Sequence, residues 1–293
     1  SGAGHNQADV ASFTMYQGGE ALARDAGYLS YARRGEVGTA SNHNMILVDG
    51  NGPAIGAPSQ PNDADGFIEN VAELPGLQYG EVRTNYLNTS ISRSFLMVRG
   101  TYFLNADVVN STAKHRYTWQ IHGNSLASGA AGDTNFTFSS TNLSQTAVWR
   151  GTNAKFSANI SSPWSSGISY SSDSSVHEVG YNSSALHTRL LATTSPVEKA
   201  ASLTLLAPFE PLAGTRTWLS QDDFKYTNIY LFDSVSSHTD YAVVQSDSSK
   251  FGSIFVNKSG DSDSLFTDSR FCFWSASNSS TSIPETIFMR EGT

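Results

Sequence analysis

Apolar and polar positions alternate with a period of two along most of this chain, and no long stretch keeps the period of an amphipathic helix. Alternating runs at residues 77–87, 90–99, 101–109 and 116–123, each bounded by turn residues, predict an antiparallel meander. Shorter runs recur at 134–138, 146–149, 155–160, 176–181, 186–193, 202–208, 228–232, 241–245, 252–256, 269–274 and 286–290. Residues 19–26 and 197–206 have a composition that suits a helix, but both fit strands as well. There is no fixed-period repeat. The expectation is an all-β chain: one large antiparallel β-sandwich of stacked sheets over residues 1–293, with a smaller C-terminal sheet from about residue 209.

The N-terminal segment is patterned differently. Residues 10–16 and 20–24 read as two short strands joined by Gln17-Gly18-Gly19, where two glycines admit the positive φ angles of a tight turn, so residues 5–24 form an expected hairpin. Alternation would put His5, Gln7 and Asp9 on one face, ahead of Ala11, Phe13 and Met15. Asp25 follows in the turn Asp25-Ala26-Gly27-Tyr28, and His43 opens an expected third strand over 43–49. Three neighbouring strands would then bring His5, Gln7, Asp25 and His43 to one edge. Residues 53–65, rich in Pro, Gly, Asn and Asp, read as a long loop beside it.

These residues carry a resemblance. The succession G-H-N-x-A-D-x-x-S-F, D-x-G-Y and S-N-H-N-x-x-x-V-D-G over the first fifty residues resembles the start of the C-terminal β-sandwich of the heparinase II/III-like polysaccharide lyases. Residues 93–99, 102–107 and 117–122 are similar to later strands of that domain. The family includes lyases of heparan-type glycosaminoglycans and of alginate, which cleave uronic-acid glycosides by β-elimination. That reaction needs a group that neutralises the uronate carboxylate, a base for the C5 proton and an acid for the departing O4.

The resemblance implies that His5 is the sandwich-borne catalytic histidine. It also implies that Tyr28, Tyr31 and Arg34 face the sugar. In the family pattern a divalent ion, usually zinc, is held at the positions of Gln7, Asp25 and His43. Gln7 stands where the family has histidine, and an amide oxygen is a poor zinc ligand. The site is therefore expected to be empty, to hold a harder cation, or to be a hydrogen-bonded cluster. The family's N-terminal α/α toroid, which supplies the other catalytic groups, has no counterpart in this chain. The expected partners are an acidic polysaccharide and such a toroid as a domain or separate chain.

Composition narrows the setting. Only 15% of the 293 residues are charged, and Gly, Ser, Thr and Asn abound, which suits a secreted or periplasmic β protein. No apolar run is long enough to cross a bilayer, and the first residues lack the basic and apolar regions of a leader. Asn88, Asn110, Asn135, Asn142, Asn159, Asn182, Asn257 and Asn278 stand in glycosylation sequons, a pattern that so Ser- and Thr-rich a chain also produces by chance. The single cysteine, Cys272, between aromatic residues, reads as a buried apolar residue.

A net charge of −8 disfavours nucleic acid and makes any attraction to a polyanion local. Candidate basic groups are Arg33 and Arg34, Arg93 and Arg99, and Lys114-His115-Arg116. The acidic balance leans towards alginate over a densely sulfated glycosaminoglycan. His122 is expected to be structural, and His115, His177, His187 and His238 carry no signal. Nucleophile-elbow, Walker and dinucleotide motifs are absent. Two competing readings are a sandwich that binds acidic sugars without cleaving them and a structural extracellular β protein.

Overall fold

A computed structural model describes residues 6–55, 64–126, 135–140, 144–161, 167–208, 216–219, 227–233, 238–245, 252–258, 261–267, 269–277 and 286–290. In chain order, β1 (Met15–Gln17) and β2 (Glu20–Ala23) form the opening hairpin. A helical turn α1 (Arg34–Val37) and a 3-10 turn (Ala40–Asn42) precede β3 (Ile46–Val48). Four long strands follow: β4 (Gly66–Leu74), β5 (Leu77–Tyr86), β6 (Thr89–Val98) and β7 (Tyr102–His115). Next come β8 (Tyr117–Leu126), β9 (Phe136–Ser140), β10 (Ser144–Arg150), β11 (Lys155–Ser161), β12 (Ile168–Gly180), β13 (Ser183–Thr194) and β14 (Val197–Ala207). The C-terminal strands are β15 (Arg216–Leu219), β16 (Thr227–Asp233), β17 (His238–Gln245), β18 (Gly252–Lys258), β19 (Asp261–Thr267), β20 (Phe271–Ser277) and β21 (Thr286–Arg290).

The strands stack in three layers. The middle layer is an eight-stranded sheet in the order β4-β5-β6-β7-β14-β11-β10-β9. One of its faces packs on a four-stranded sheet, β12-β13-β8-β3, where Trp119, Ile121, Leu190 and Ala192 meet Ile91, Val109, Trp149 and Phe156. The other packs on a five-stranded sheet, β15-β16-β17-β20-β21, where Leu96, Leu104 and Leu203 meet Ala242, Val244, Phe271 and Phe273. Because the middle sheet is buried on both faces, β14 presents Ala200 to one core and Ala201 to the other. This explains its continuous apolar run, which suited a helix as well as a strand. Cys272 is buried in β20, as its neighbours imply.

The all-β expectation and most of the strands hold, and the differences have physical causes. The opening hairpin forms with Gly18 and Gly19 at φ 65° and 78°, but its first strand begins at Met15. Before it, Ser12 N–H bonds Asp9 O, and Ala11 takes φ 60°, a turn that breaks the expected alternation. β3 starts at Ile46 rather than His43, because residues 40–42 coil into the 3-10 turn. It pairs with β8 and not with the hairpin, which is a separate two-stranded sheet.

The edge strand β4 is not predicted because its apolar residues fall in adjacent pairs, Phe67-Ile68 and Val71-Ala72, around an irregular register between Glu69 and Ala72, and so do not alternate. β15 and β19 were also unread, and β12 begins eight residues before the expected 176, through a serine-rich stretch. Of the expected loop at 53–65, residues 56–63 lie outside the described residues.

Candidate functional site

Residues 24–44 run along and over the four-stranded sheet, held by two motifs whose chemistry is now explicit. In Asp25-Ala26-Gly27-Tyr28, Asp25 Oδ1 accepts the Gly27 N–H at 2.8 Å. Gly27 has φ 74°, and a Cβ there would stand 2.7 Å from Glu178 Oε2. Glu178 needs that space, because Oε2 accepts the Tyr28 N–H at 3.0 Å while the Glu178 N–H bonds Ala26 O. Glycine at this position lets the segment lie along β12.

In Ser41-Asn42-His43-Asn44 every residue takes part in a bond. Asn44 Nδ2 donates to Phe13 O and Arg24 O, both at 2.8 Å, and its Oδ1 accepts the His122 N–H at 2.7 Å. Asn42 donates to Glu36 O and accepts from Ser175. Ser41 O and Gln120 Oε1 both accept from Arg189, which is itself bidentate to Asp173.

His43 Nδ1 lies 3.0 Å from Asp25 Oδ2, and a carboxylate can only accept, so Nδ1 carries the proton. Burial raises the Asp25 pKa, but the His43 bond and the Gly27 N–H outweigh it, and the net shift is downward. Gln7 Nε2 donates to Gly27 O at 3.0 Å, and Ala8 N–H bonds Gly38 O, so the N-terminal segment is tied to the same turn. The structure therefore gathers Gln7, Asp25 and His43 into one clasp. They arrive on loops rather than on three adjacent strands, and His43 is fully buried rather than open at a rim. The Asp25 side chain is 39% exposed and is the clasp's opening to solvent. His5 lies outside the described residues.

As arranged, the donor set does not fit zinc. Both Asp25 oxygens and His43 Nδ1 are engaged with each other and with Gly27, and Gln7 turns a donor, not an acceptor, towards the turn. Among the described residues no three His, Cys, Asp or Glu side chains converge to hold a cation. Asp25, His43 and Gln7 reach one another and the Gly27 turn by direct hydrogen bonds, and His43 Nε2 makes none among the described residues.

Tyr31 and Arg34 occupy a surface just beyond the clasp. Tyr31 is 64% exposed, with the Arg34 guanidinium 5.1 Å from its ring centre. Arg33 pairs with Glu36 and donates to Asn182 O at 2.6 Å, and Asn182 N–H bonds Leu29 O. The β12–β13 turn is thereby fixed to this loop, and it brings Tyr181, 83% exposed, which sequence reasoning passed over. Tyr28 is partly buried at the Glu178 contact. Of two other basic candidates, Arg93 leaves the surface and Arg99 stays half-buried. Arg93 is buried and bidentate to buried Asp107, and Arg99 pairs with buried Asp240. Of the sequons, Asn159 is buried.

Sequence reasoning also missed a chain of three buried histidines. His122 Nδ1 is 2.8 Å from His187 Nε2, and His187 Nδ1 is 3.0 Å from His177 Nδ1. Burial, reinforced by neighbouring cations and imidazoles, lowers His177 to about 4 and His187 to about 3, and holds His122 well below its usual value. The rings are therefore neutral at pH 7, each N···N contact sharing one proton. His177 and His187 sit on one hairpin, but nothing in their spacing points to His122 on β8.

With this geometry in hand, the chain was compared with known proteins. The model of the heparinase II/III-like C-terminal domain matches residues 1–202. No curated protein matches. Among solved structures, a heparinase III shares 15% identity at a TM-score of 0.60, over 89% of this chain and 36% of that one. The heparan sulfate lyase HepC from Pedobacter heparinus shares 14% at a TM-score of 0.60, over 89% and 37%. The chain thus spans little more than a third of the length of these structures, and at such identity the likeness establishes the fold. By the family match over more than two thirds of its length, this chain belongs to the heparinase II/III-like family and carries that family's C-terminal domain.

Proposed function

We propose that this chain is the C-terminal β-sandwich portion of a polysaccharide lyase that cleaves a uronic-acid-containing glycosaminoglycan by β-elimination, in company with a helical toroid. The observation that carries the reading is the clasp of Gln7, Asp25 and His43 on the segment that also presents the exposed Tyr31 ring and the Arg34 guanidinium set over it, in a chain of this family. The glycosaminoglycan reading replaces the lean towards alginate. It is supported by the names of the structurally similar proteins, a heparinase III and a heparan sulfate lyase, and net charge alone weighs less than that.

In this reading His5, two residues ahead of Gln7, exchanges a proton with the sugar. Asp25 and His43 hold the turn that carries Tyr28. Tyr31 offers a ring face to a pyranose, and Arg34 offers a guanidinium to a carboxylate or sulfate. No step runs through a metal. The substrate class supports a secreted or periplasmic location, and no helix among the described residues is long and apolar enough to cross a membrane.

The test is absorbance of the unsaturated uronate product when the chain, together with its toroid, is mixed with heparan sulfate, hyaluronan or alginate. Product is expected from a glycosaminoglycan and is expected to vanish with His5→Ala. Full turnover by that variant, or product from alginate alone, would contradict the reading. The exposed Tyr31 and Tyr181 also suit a module that binds acidic sugars without cleaving them, and saturable binding with no product from any of the three would favour it.

A further inference from the structure

Beyond the C-terminal end of β3, on the other side of that strand in sequence from His43, three turns meet around a cavity of about 440 Å³. Its polar lining comes from Asp49, Asn51, Asn85, Asn88 and His115, and its apolar wall includes Val48 and Leu87. We propose that this cavity is a second sugar-binding site, selective for a neutral, hydroxyl-bearing sugar unit. The site goes beyond the lyase reading and does not depend on it, since none of its lining residues belongs to the clasp.

The site is built from fixed parts. Asp49 N–H bonds Arg116 O, and Asp49 Oδ1 accepts the Arg116 N–H, both at 2.8 Å. His115 Nδ1 lies 2.7 Å from Asp49 Oδ2. Asn51 Nδ2 donates to Asp49 O at 3.0 Å, and Ser111 Oγ donates to Asn88 O at 3.1 Å. Asp49, Leu87 and Asn88 all take φ between 51° and 57°, the left-handed conformation of tight turns. Among the described residues, the Asn85 and Asn88 carboxamides make no bond of their own, and both residues are exposed.

The chemistry of the lining selects the ligand. A carboxamide offers one acceptor oxygen and two donor hydrogens, and a sugar hydroxyl likewise both donates and accepts. Three such amides around one cavity suit a ring that carries several hydroxyls. The volume falls within the range of small-molecule sites, roughly 300–1,000 Å³. Asp49 is the fixed charge of the lining. The His115 contact and the Arg116 N–H hold its carboxyl below the usual range, so it stays ionised. An ionised carboxylate rewards a donating hydroxyl and repels a carboxylate or sulfate. A uronate is therefore disfavoured, and a neutral unit such as an N-acetylhexosamine of a mixed polysaccharide is favoured.

The experiment is a titration of the whole chain with N-acetylglucosamine, and separately with glucuronate, followed by amide and imidazole nitrogen resonances. Saturable shifts confined to residues 49–51, 85–88 and 115 with N-acetylglucosamine, and none with glucuronate, are expected. Asn85→Ala with Asn88→Gly, glycine being chosen because residue 88 has φ 57°, should weaken binding at least about tenfold, the loss of about 1.4 kcal/mol of hydrogen bonding, in a variant that the melting temperature shows to be folded. Equal shifts with glucuronate, no saturable shift with N-acetylglucosamine, or a double variant that binds undiminished would each overturn the proposal. No turnover is measured, so the result stands apart from the fate of the lyase reading.

Discussion

Carboxylates organise hydrogen-bonded clusters on both sides of the middle sheet, but the two sides are finished differently. On the C-terminal side, Asp240 accepts from Arg99, from Tyr102 at 2.6 Å and from Ser275 at 2.6 Å. Glu81, buried in β5, accepts from Arg83, Ser92, Asn70 and Arg290 of β21. Burial works to raise the Glu81 pKa, but these donors win and hold it at about 2. On the clasp side, Asp25 is partly open to solvent, and the buried nitrogens His43 Nε2 and His122 Nε2 have no partner among the described residues. Saturated clusters lock layers together. A cluster left incomplete and half open, under exposed aromatic rings, is where a ligand has something to gain.

The sharpest way to break this contrast is to remove one acceptor from the saturated side. Asp240→Asn leaves Arg99 and Tyr102 facing a neutral amide, and should cost about 3–5 kcal/mol in denaturant unfolding while sugar binding by the folded fraction is unchanged. A loss below about 1 kcal/mol would show that the C-terminal layer is held by apolar burial alone.

Acid should separate the two sides next. His177 and His187 titrate near 6.5 when unfolded but at about 4 and about 3 when folded. The unfolded chain therefore binds more protons below pH 6.5, and stability falls from there towards pH 4, on the order of 3 kcal/mol for His177 alone. Glu81, depressed to about 2, contributes stability above its unfolded pKa of about 4.3 and loses it only as pH drops from there towards 2. Stability should begin to fall below about pH 6.5 and fall more steeply below about 4.3, where the Glu81 loss joins the histidine loss, and His187→Asn should flatten the part above 4.3. A single decline below pH 4.3 would contradict the neutral histidine chain.

Gly27→Ala tests the clasp itself. The added Cβ meets Glu178 and the backbone sits at positive φ, so a loss of roughly 1–3 kcal/mol is expected, together with weakened acidic-sugar binding. Unchanged stability and binding would show that the turn is not what orders the site. The smallest structural effect comes from Gln7→His. It supplies the imidazole that the family pattern has at this position, so elemental analysis should find one zinc per chain in the variant and none in the parent. Stoichiometric metal in the parent would sink the hydrogen-bonded reading of the clasp.

Much of this was legible in the sequence, because local chemistry dictates it. Gly18-Gly19 demands a tight turn, and the alternation in β5 to β7 demands a meander, although β8, expected as its fourth strand, pairs with β13 and β3 in the four-stranded sheet instead. Gln7, Asp25 and His43 meet at one turn, carried there by loops and not by the expected three strands. What escaped depends on long-range assembly. The sealing of His43 comes from the 3-10 turn and from Gln120, whose amide reaches Ala40 O and His43 O from β8. Arg93 looked like a surface cation because its partner, Asp107, becomes its neighbour only when β6 and β7 pair. β4 escapes because its apolar residues come in adjacent pairs across an irregular register and not in alternation. Tyr181 gains meaning only from the bonds that tie its turn to the Tyr31 loop.

The claim that function sits on the clasp side is tested most directly by titrating the isotopically labelled chain with a heparan sulfate oligosaccharide and mapping which backbone amides move. Saturable shifts at Gly27, Tyr28, Tyr31 and Arg34, fading to nothing in β17 and β20, are the predicted result. Shifts centred on the C-terminal layer, or none along residues 24–44 at saturating sugar, would contradict it.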